Sequence, residues 1–481
     1  MNSMNQLLLI AASEWRYWLQ SRLALGGALI FLLLFVVTSL LSALRMEAEN
    51  HSRGHQQTEA ENTFLSQPDR HPHRMVHYGH YLFRTPAPLA TFDPGLDTVT
   101  GQSIFLEGHR QNTVMFAESA ASADFGGLSW LSPALVYQLF APLIIILLGY
   151  GSIAREREAA VLAPLLAIGI SGRKLIAGKA LALQSFVLLL LCPLVSSCAL
   201  AMGEGESPVA LLLLFGLYFV YLTLWLGLTL LASTLLTKRS TVLLTMIGLW
   251  LGFTLVLPSI AVNSSSSANV AAGKIESDLT MLADLRKLGD GHNANDPAFK
   301  KLRSDLLKKY GVERIEDLPV NYRGIVALSA EKKLTNVLND YADARMAAEL
   351  QQEHQLENYG WFTPALAIAL ASRSIAGTDL AHYHHFQREA ENVRFSFVQG
   401  LNRAHAESLS YLDDINRSKD EESWQRARVD ASHWQVLEKY QFQTTDISKR
   451  VASASTSIQK LIIWMLITFV ILLWRSGKIS L

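Results

Sequence analysis

The chain has 481 residues, half of them apolar, and its 42 basic and 42 acidic side chains give a formal charge of zero. This balance argues against general nucleic-acid binding, because a surface that binds phosphates needs an excess of basic residues. The only two cysteines, Cys192 and Cys198, lie in the same apolar run. Their spacing suits neither a disulfide within one helix nor a cysteine-based metal site, so we expect them to be packing residues.

The apolar residues cluster in six runs that are long enough to cross a bilayer as helices, which takes roughly 18–20 residues. The first run lacks a signal-peptide cleavage pattern, so we interpret it as a retained anchor. The predicted fold class is therefore an all-α membrane protein with six transmembrane helices. The predicted spans are residues 23–44, 133–153, 180–203, 208–235, 241–262 and 455–474.

The basic residues predict the orientation of these spans, because lysine and arginine concentrate on the cytoplasmic side of membranes. With the N-terminus inside, the segments on that side carry an excess of basic residues, whereas the short opposite loop carries only Glu204 and Glu206. Arg45 and Lys460 are exceptions to this pattern. We therefore expect both chain termini to be cytoplasmic.

This topology predicts two large segments outside the cytoplasm. Residues 1–22 combine apolar, tryptophan and arginine side chains, which predicts an amphipathic elbow helix before the first span. The first outer segment, 45–132, is rich in turn residues and predicts loops with short strands. The second, 263–454, shows apolar spacing near 3.6 and predicts a mostly helical domain, entered through a serine linker at 264–267. A short cytoplasmic tail, 475–481, follows the last span.

The segment 154–179, between the second and third spans, combines charged ends with an apolar middle. It reads Arg-Glu-Arg-Glu at 155–158, continues with the apolar run 159–170 and ends with basic residues. This pattern predicts a cytoplasmic helix in the membrane surface, where a partner can contact it. An ordinary solvated helix end is the alternative interpretation. The candidate coupling residues are Arg155, Glu156, Arg157, Glu158, Arg173, Lys174 and Lys179.

The sequence carries no phosphate-binding loop. The nearest approach runs from Gly172 to Ala180, but its glycine spacing is wrong and it ends without the Ser or Thr that holds magnesium. We therefore expect no catalytic site and no cofactor in this chain. The sequence also lacks the motifs of a serine hydrolase or a zinc protease, and the absence of acids and bases from the first five spans disfavours a secondary transporter.

The loop resembles the coupling region of type-2 ABC exporter permeases. Gly-Ser-Ile-Ala-Arg-Glu-Arg-Glu at 151–158 and Ser-Gly-Arg-Lys-Leu-Ile-Ala-Gly-Lys at 171–179 carry the resemblance, although Ala-Val stands at 160–161 where the family has Gly-Thr. The resemblance implies an elbow helix, six spans and a loop that rests on an ABC ATPase subunit. That subunit would bind ATP and Mg, and a second permease would complete a homodimer or heterodimer in the lipid of a bacterial inner membrane.

The outer segments resemble a subgroup of these permeases with large periplasmic inserts of unknown function. His-Tyr-Gly-His-Tyr-Leu-Phe-Arg at 77–84 and Ala-Gly-Thr-Asp at 376–379 carry this second resemblance. The expected function is the permease subunit of an ATP-driven transporter, with export as the expected direction. The alternative is a non-transporting factor for mechanotransmission or for metal-site maturation. Under either interpretation, the large outer segments favour a periplasmic protein partner.

All fourteen histidines lie in the two outer segments. Imidazoles at such density can bind zinc or copper. Their spacing is irregular, however, and membrane spans exclude histidine in any case, so we expect packing or solvated histidines and no metal. The candidate ligands, should a metal bind, are His71, His73, His77, His80 and His109.

Overall fold

The computed structural model describes residues 3–115, 131–268, 274–435 and 442–479. Parts of both predicted outer segments and the outermost residues of the two termini therefore lie outside the described residues. Nearly all regular structure in the described part is helical, with one pair of short strands. The predicted all-α membrane fold is confirmed.

Six helices in the described part of the chain are long and apolar enough to cross a membrane. Each of the six predicted runs lies within one of them, and most of the helices extend beyond the predicted ends. We name them span one to span six in chain order. They are Leu23–Leu65, Pro133–Glu158, Gly172–Gly203, Pro208–Leu235, Arg239–Ser266 and Ile447–Ser476.

Spans two and four form the centre of the helix bundle. Tyr137 and Ile145 of span two and Tyr221 and Trp225 of span four are fully buried. Spans one, five and six instead expose most of their apolar side chains. Lipid tails are as apolar as these side chains, so association of the spans depends on close packing and on hydrogen bonds between helices.

Two of the spans contain a π-helical turn, at Val136–Phe140 in span two and at Gly252–Val256 in span five. Trp250, just before the second π turn, donates its indole N–H to the carbonyl of Leu139 at 3.0 Å. Such turns widen a helix locally and release backbone groups that neighbours must satisfy. Spans two and five are therefore joined where both are irregular.

The N-terminal helix α1, Ser3–Gln20, packs along span three at one end of the bundle. Trp18 is fully buried and donates to the carbonyl of Leu148 at 3.2 Å, while Trp15 donates to the hydroxyl of Ser185 at 2.8 Å. The last turn of span six lies at this same end, against the start of span three. We call this end the termini side and the opposite end the domain side.

On the domain side, span one continues as a helix as far as Leu65. The prediction of loops and short strands from residue 45 onward was therefore wrong for its first part. Residues 46–65 contain no proline and one glycine, Gly54, so nothing in the sequence ends the helix earlier. The predicted short strands follow later in this segment.

Helix α2, Pro72–Tyr78, precedes a two-stranded antiparallel sheet. Strand β1, His80–Phe83, pairs with strand β2, Ser103–Leu106. Gly79 connects α2 to β1 with a φ of 71°, a left-handed conformation that favours glycine. Its position also leaves no room for a Cβ atom, which would lie 2.2 Å from the ring of Phe105.

The segment between spans two and three is broken into shorter pieces than the single helix predicted for 154–179. Its first residues, Ala154–Glu158, end span two, and Ala160 then adopts a left-handed φ of 54° that breaks the helix. Helix α3, Leu162–Ala167, follows. Span three then begins at Gly172, earlier than predicted, because the Ser171 hydroxyl caps the first turn.

The second domain-side segment is mostly helical, as expected. The serine run at its start is not a linker, because span five continues through it as a helix. The Ser266 hydroxyl donates to the carbonyl of Val262 at 2.9 Å, and bonds of this kind let serine remain inside a helix. The helices that follow are α4 Lys274–Arg286, α5 Lys300–Tyr310, α6 Tyr322–Asn358, α7 Pro364–Ala376, α8 Leu380–Ser408, α9 Tyr411–Asn416 and α10 Glu421–Arg426.

Helix α7 lies among the domain-side ends of the spans. Ala367, Ile368 and Ala371 are fully buried, and α7 packs against spans four and six. At its end, Arg450 of span six pairs with Glu206 through two bonds of 2.9 and 3.1 Å. Both side chains are buried. The Arg450 Nε also donates to the carbonyl of Ile375 at 2.9 Å, so α7 is attached to span six by a hydrogen bond as well as by apolar packing.

Candidate functional site

A buried cluster of charges holds the end of span two on the termini side. Lys179 of span three is 2% exposed and pairs with both Glu14 of α1 and Glu156 of span two. The Lys179 Nζ to Glu14 Oε1 distance is 2.5 Å. Arg155 also pairs with Glu14, and its guanidinium lies 3.9 Å from the ring centre of Tyr17. Two acids and two bases thus neutralise each other where three helices meet.

Arg157 fastens span two to span four. Its guanidinium donates to the carbonyls of Thr234 and Leu236, at 2.8 and 3.0 Å. These carbonyls lie at the end of span four, where backbone oxygens lack partners within their own helix. Because a helix C-terminus carries partial negative charge, the cation is stabilised there.

Glu158 fastens span two to span five. Its carboxylate accepts from Arg239 Nε at 2.5 Å and from the Arg239 backbone N–H at 2.9 Å. Lys174 donates to the side chain of Gln6 in α1 at 2.9 Å, and Arg173 lies beside Gly477 near the end of span six. The seven candidate coupling residues therefore lie on one side of the bundle, and most of them bind other parts of this chain.

The surface that these contacts leave exposed is apolar. No residue of α3 is buried, and the flanking side chains of Val161 and Ile168 are 43% and 74% exposed. The charges tether both ends of the α3 loop, and the middle projects from the bundle. A partner that binds this loop would therefore meet apolar side chains first.

Gly178 explains why glycine precedes the buried lysine. A Cβ atom at this position would lie 2.6 Å from the Cβ of Ile10, which is closer than two carbons can approach. Glycine therefore lets α1 lie directly on span three. In the Gly-Lys pair, the first residue gives α1 room and the second, Lys179, pairs with Glu14.

A second polar network joins the spans to the outer segments on the domain side. The Gln138 amide donates to the Tyr218 hydroxyl at 3.0 Å, and Tyr218 lies 3.0 Å from the Ser372 hydroxyl of α7. Ser372 in turn donates to the Asp93 carboxylate at 2.5 Å. All four side chains are buried. They link spans two and four to both domain-side segments.

The histidines proposed as metal ligands separate into three places. His71 joins His405 in bonding to Asp414, at 3.1 and 2.8 Å. Arg417 and Asn321 also donate to this carboxylate. Although burial raises the pKa of Asp414, the bonds from the two histidines outweigh it and hold the pKa well below its usual range. Both carboxylate oxygens are occupied, so this buried triad suits a structural role.

His80 lies apart from the other candidates and packs on the ring of Phe64, with the ring centres 4.8 Å apart. Burial lowers the pKa of His80 to about 4, so the ring is neutral at physiological pH. This environment is that of a packing residue.

The remaining candidates, His73, His77 and His109, meet a fourth histidine, His292. One ring nitrogen from each of the four lies within 4.8 Å of the others. Burial, followed by the nearby rings of His77, His292 and His109, lowers the pKa of His73 to about 2. Sequence reasoning missed His292, which follows in the second outer segment, and no spacing rule connects it to the other three.

The fold and the tethered α3 loop define a multi-pass membrane subunit with added helical structure on one side. A family model described as ABC-2 family transporter protein matches residues 8–285, which is more than half of the chain, so the chain belongs to this family. A domain of unknown function, DUF3526, matches residues 275–443. The comparison with curated proteins gives no match. The chain is therefore a transmembrane ABC transporter subunit, and its family implies association with an ABC ATPase subunit.

Proposed function

We propose that this chain is the permease subunit of an ATP-driven type-2 ABC exporter and that the α3 loop is its contact with the ATPase subunit. ATP and Mg would bind to that subunit. The observation that carries the proposal is the contrast within the loop between internally paired charges and an exposed apolar middle. Val161 and Ile168 present apolar surface next to a membrane span, and exposed apolar surface is typical of sites that contact a protein or the membrane.

The internal ion pairs give the loop a mechanical role in this proposal. The loop continues directly into spans two and three, and Glu158 and Arg157 tie span two to spans five and four. A force on α3 would therefore move several helix ends together rather than bend one loop. When ATP binding closes the ATPase subunits, the force on α3 would shift the equilibrium between two arrangements of the helix bundle.

The same span carries the movement to the domain side. The domain-side end of span two contains the π-helical turn with Gln138. Gln138 bonds to Tyr218, and Tyr218 bonds to Ser372 of α7. Trp250 adds a bond between spans two and five at this level. Movement of span two would therefore reach the outer helices through buried hydrogen bonds that have no water to replace them.

The orientation and assembly follow from the same proposal. If the ATPase subunit is cytoplasmic, the termini side faces the cytoplasm of a bacterium and the large segments face the periplasm. A second permease subunit, identical or different, would pair through the exposed apolar faces of the outer spans. The exposed leucines of span one offer such a face, which lipid or a partner must cover.

The attachment of α7 to the spans supports a second candidate function for this chain. In this alternative the outer helices act on a periplasmic protein, in mechanotransmission or in metal-site maturation, and nothing crosses the membrane. Arg450 of span six bonds to the carbonyl of Ile375 in α7, and Ser372 of α7 bonds to Tyr218 of span four. The test measures hydrogen exchange of α7 and solute transport in the same vesicles. ATP-dependent changes in the exchange of α7 without transport would favour this function over export.

The proposed contact can be tested by placing a charge on α3. We expect Ile168→Glu to weaken binding of the co-expressed ATPase subunit by at least tenfold, because a carboxylate would be buried against an apolar partner surface. Ile275→Glu is the matched control, since Ile275 is 78% exposed on the domain side. Retained subunits and ATP turnover are measured in purified complexes. Equal binding by the two variants would contradict the proposal.

A further inference from the structure

We propose that His73, His77, His109 and His292 form a tetrahedral zinc-binding site that joins the two domain-side segments. Three of the ligands come from the first segment, and His292 comes from the second. The site lies apart from the α3 loop and does not depend on the function proposed for it.

The ring positions match four imidazoles around one ion. The six distances between ring centres run from 4.7 to 5.9 Å. Zinc–nitrogen bonds of about 2.0–2.1 Å in a tetrahedral site place neighbouring ring centres about 5 Å apart. The Nε2 atoms of His73 and His77 are 3.2 Å apart, close to the roughly 3.3 Å between two nitrogens on one tetrahedral ion.

Two of the four rings are oriented by carboxylates. His109 Nδ1 bonds to Glu331 Oε2 at 3.0 Å, and His292 Nδ1 lies 3.2 Å from Asp290 Oδ1. In metal sites a carboxylate commonly holds one ring nitrogen so that the other can bind the ion. The Nε2 of His109 is in fact buried and has no hydrogen-bond partner. That unpartnered nitrogen belongs to the four-ring cluster, and a metal ion would satisfy it.

The surrounding structure holds the ligands in place. His73 and His77 are one helical turn apart in α2, and two of the three residues between them, Met75 and Val76, are fully buried. The Gly108 N–H donates to the carbonyl of Val76 at 2.9 Å, which fixes the loop that carries His109 against α2.

Glu331, the carboxylate that bonds to His109, is itself held by buried partners. Glu331 of α6 is fully buried, and Arg394 of α8 donates to its second oxygen at 2.6 Å. His109 has a left-handed φ of 67°, a conformation uncommon outside glycine that needs support from its surroundings.

The donor set favours zinc over other ions. Four neutral nitrogens exclude calcium and magnesium, which prefer oxygen ligands. A tetrahedral arrangement suits zinc better than copper(II), which prefers a planar arrangement of its ligands. Two of the histidines are exposed, so an ion can enter from solvent.

The first test is the zinc content of the full-length protein in detergent, purified without a histidine tag. After chelator treatment and addition of zinc, we expect about one ion per chain to remain through desalting. The double variant His73→Ala/His77→Ala should lower the affinity at least a hundredfold in competition with a chromophoric chelator. His51→Ala/His55→Ala is the matched control, because these two histidines have the same spacing on the exposed helix of span one.

A second test exchanges one ligand and reads the change in the spectrum of the bound ion. In His292→Cys, cobalt(II) should give the visible bands of a tetrahedral ion together with a new sulfur-to-cobalt band in the near ultraviolet. Asp290→Asn should lower zinc affinity about tenfold. The proposal is overturned if the wild-type protein retains no zinc, if the His51/His55 variant loses zinc as fully as the His73/His77 variant, or if cobalt in His292→Cys shows no sulfur band.

Discussion

The two ends of the helix bundle use their polar residues in opposite ways. On the termini side, Lys179 and Arg155 neutralise Glu14 and Glu156, and the side chains of the α3 loop that remain exposed are apolar. On the domain side, the ion pair of Arg450 and Glu206 is equally internal, but a cluster of four imidazoles opens to solvent.

This difference shows that the most charged stretch of a sequence need not be the surface that stays exposed in the fold. The Arg-Glu-Arg-Glu sequence makes residues 155–158 the most noticeable part of the loop, yet its side chains bind α1 and the ends of spans three, four and five. In the proposed function, these side chains therefore hold the loop in place and α3 makes the contact with the partner. The histidines show the opposite. Their spacing in the sequence is irregular, but four of their rings lie close together in the structure.

The largest effect is expected from reversing the charge of the buried lysine. Lys179→Glu would place a third carboxylate beside Glu14 and Glu156, and breaking a buried ion pair costs about 3–5 kcal/mol. We expect a strongly lowered melting temperature in detergent. The control is Lys174→Glu, because the Lys174 side chain donates to the neutral side chain of Gln6. The stability of this variant should change by less than about 1 kcal/mol.

A double charge reversal tests whether this ion pair accounts for the loss of stability. If the ion pair between helices is what matters, Glu156→Lys combined with Lys179→Glu should recover much of the stability that Lys179→Glu loses. An equal melting temperature for wild type and Lys179→Glu would show that the termini-side charges are not held together as described.

A smaller effect is expected at the glycine before this lysine. Gly178→Ala would force α1 away from span three, because the added methyl group meets Ile10 at 2.6 Å, and overpacking typically costs about 1–3 kcal/mol. Gly216→Ala in span four is the matched control, since its Cβ would meet nothing within 4 Å. We expect a lower melting temperature for the first variant and an equal or higher one for the second. The opposite order would refute the close contact of α1.

Much of the fold could be predicted from the sequence because apolar run length determines which helices can cross a bilayer. The helix ends were less predictable, since tertiary contacts decide them. Span one continues past its apolar run to Leu65, and Ser266 stays helical by bonding to the carbonyl of Val262. Lys460, an exception to the pattern of basic residues, is buried and donates to the carbonyl of Glu357 at 2.7 Å.

The sites were predictable only in part, for a related reason. The α3 loop is continuous in sequence, so its resemblance to a family motif could be recognised from 155 to 179. Its main partner, Glu14, lies in another helix and carries no recognisable motif. The imidazole cluster likewise needs His292, whose position beside His109 depends on how the two domain-side segments fold together.

The most direct test of the central claim is a cross-link between the α3 loop and the ATPase subunit. The native thiols are first removed as Cys192→Ala and Cys198→Ala, and a single cysteine is then placed as Ala167→Cys in α3 or as Ile275→Cys on the domain side. In inside-out vesicles we predict that the cysteine at position 167 cross-links to the ATPase subunit and that the one at position 275 does not. Cross-linking from position 275 alone would contradict both the contact and the orientation.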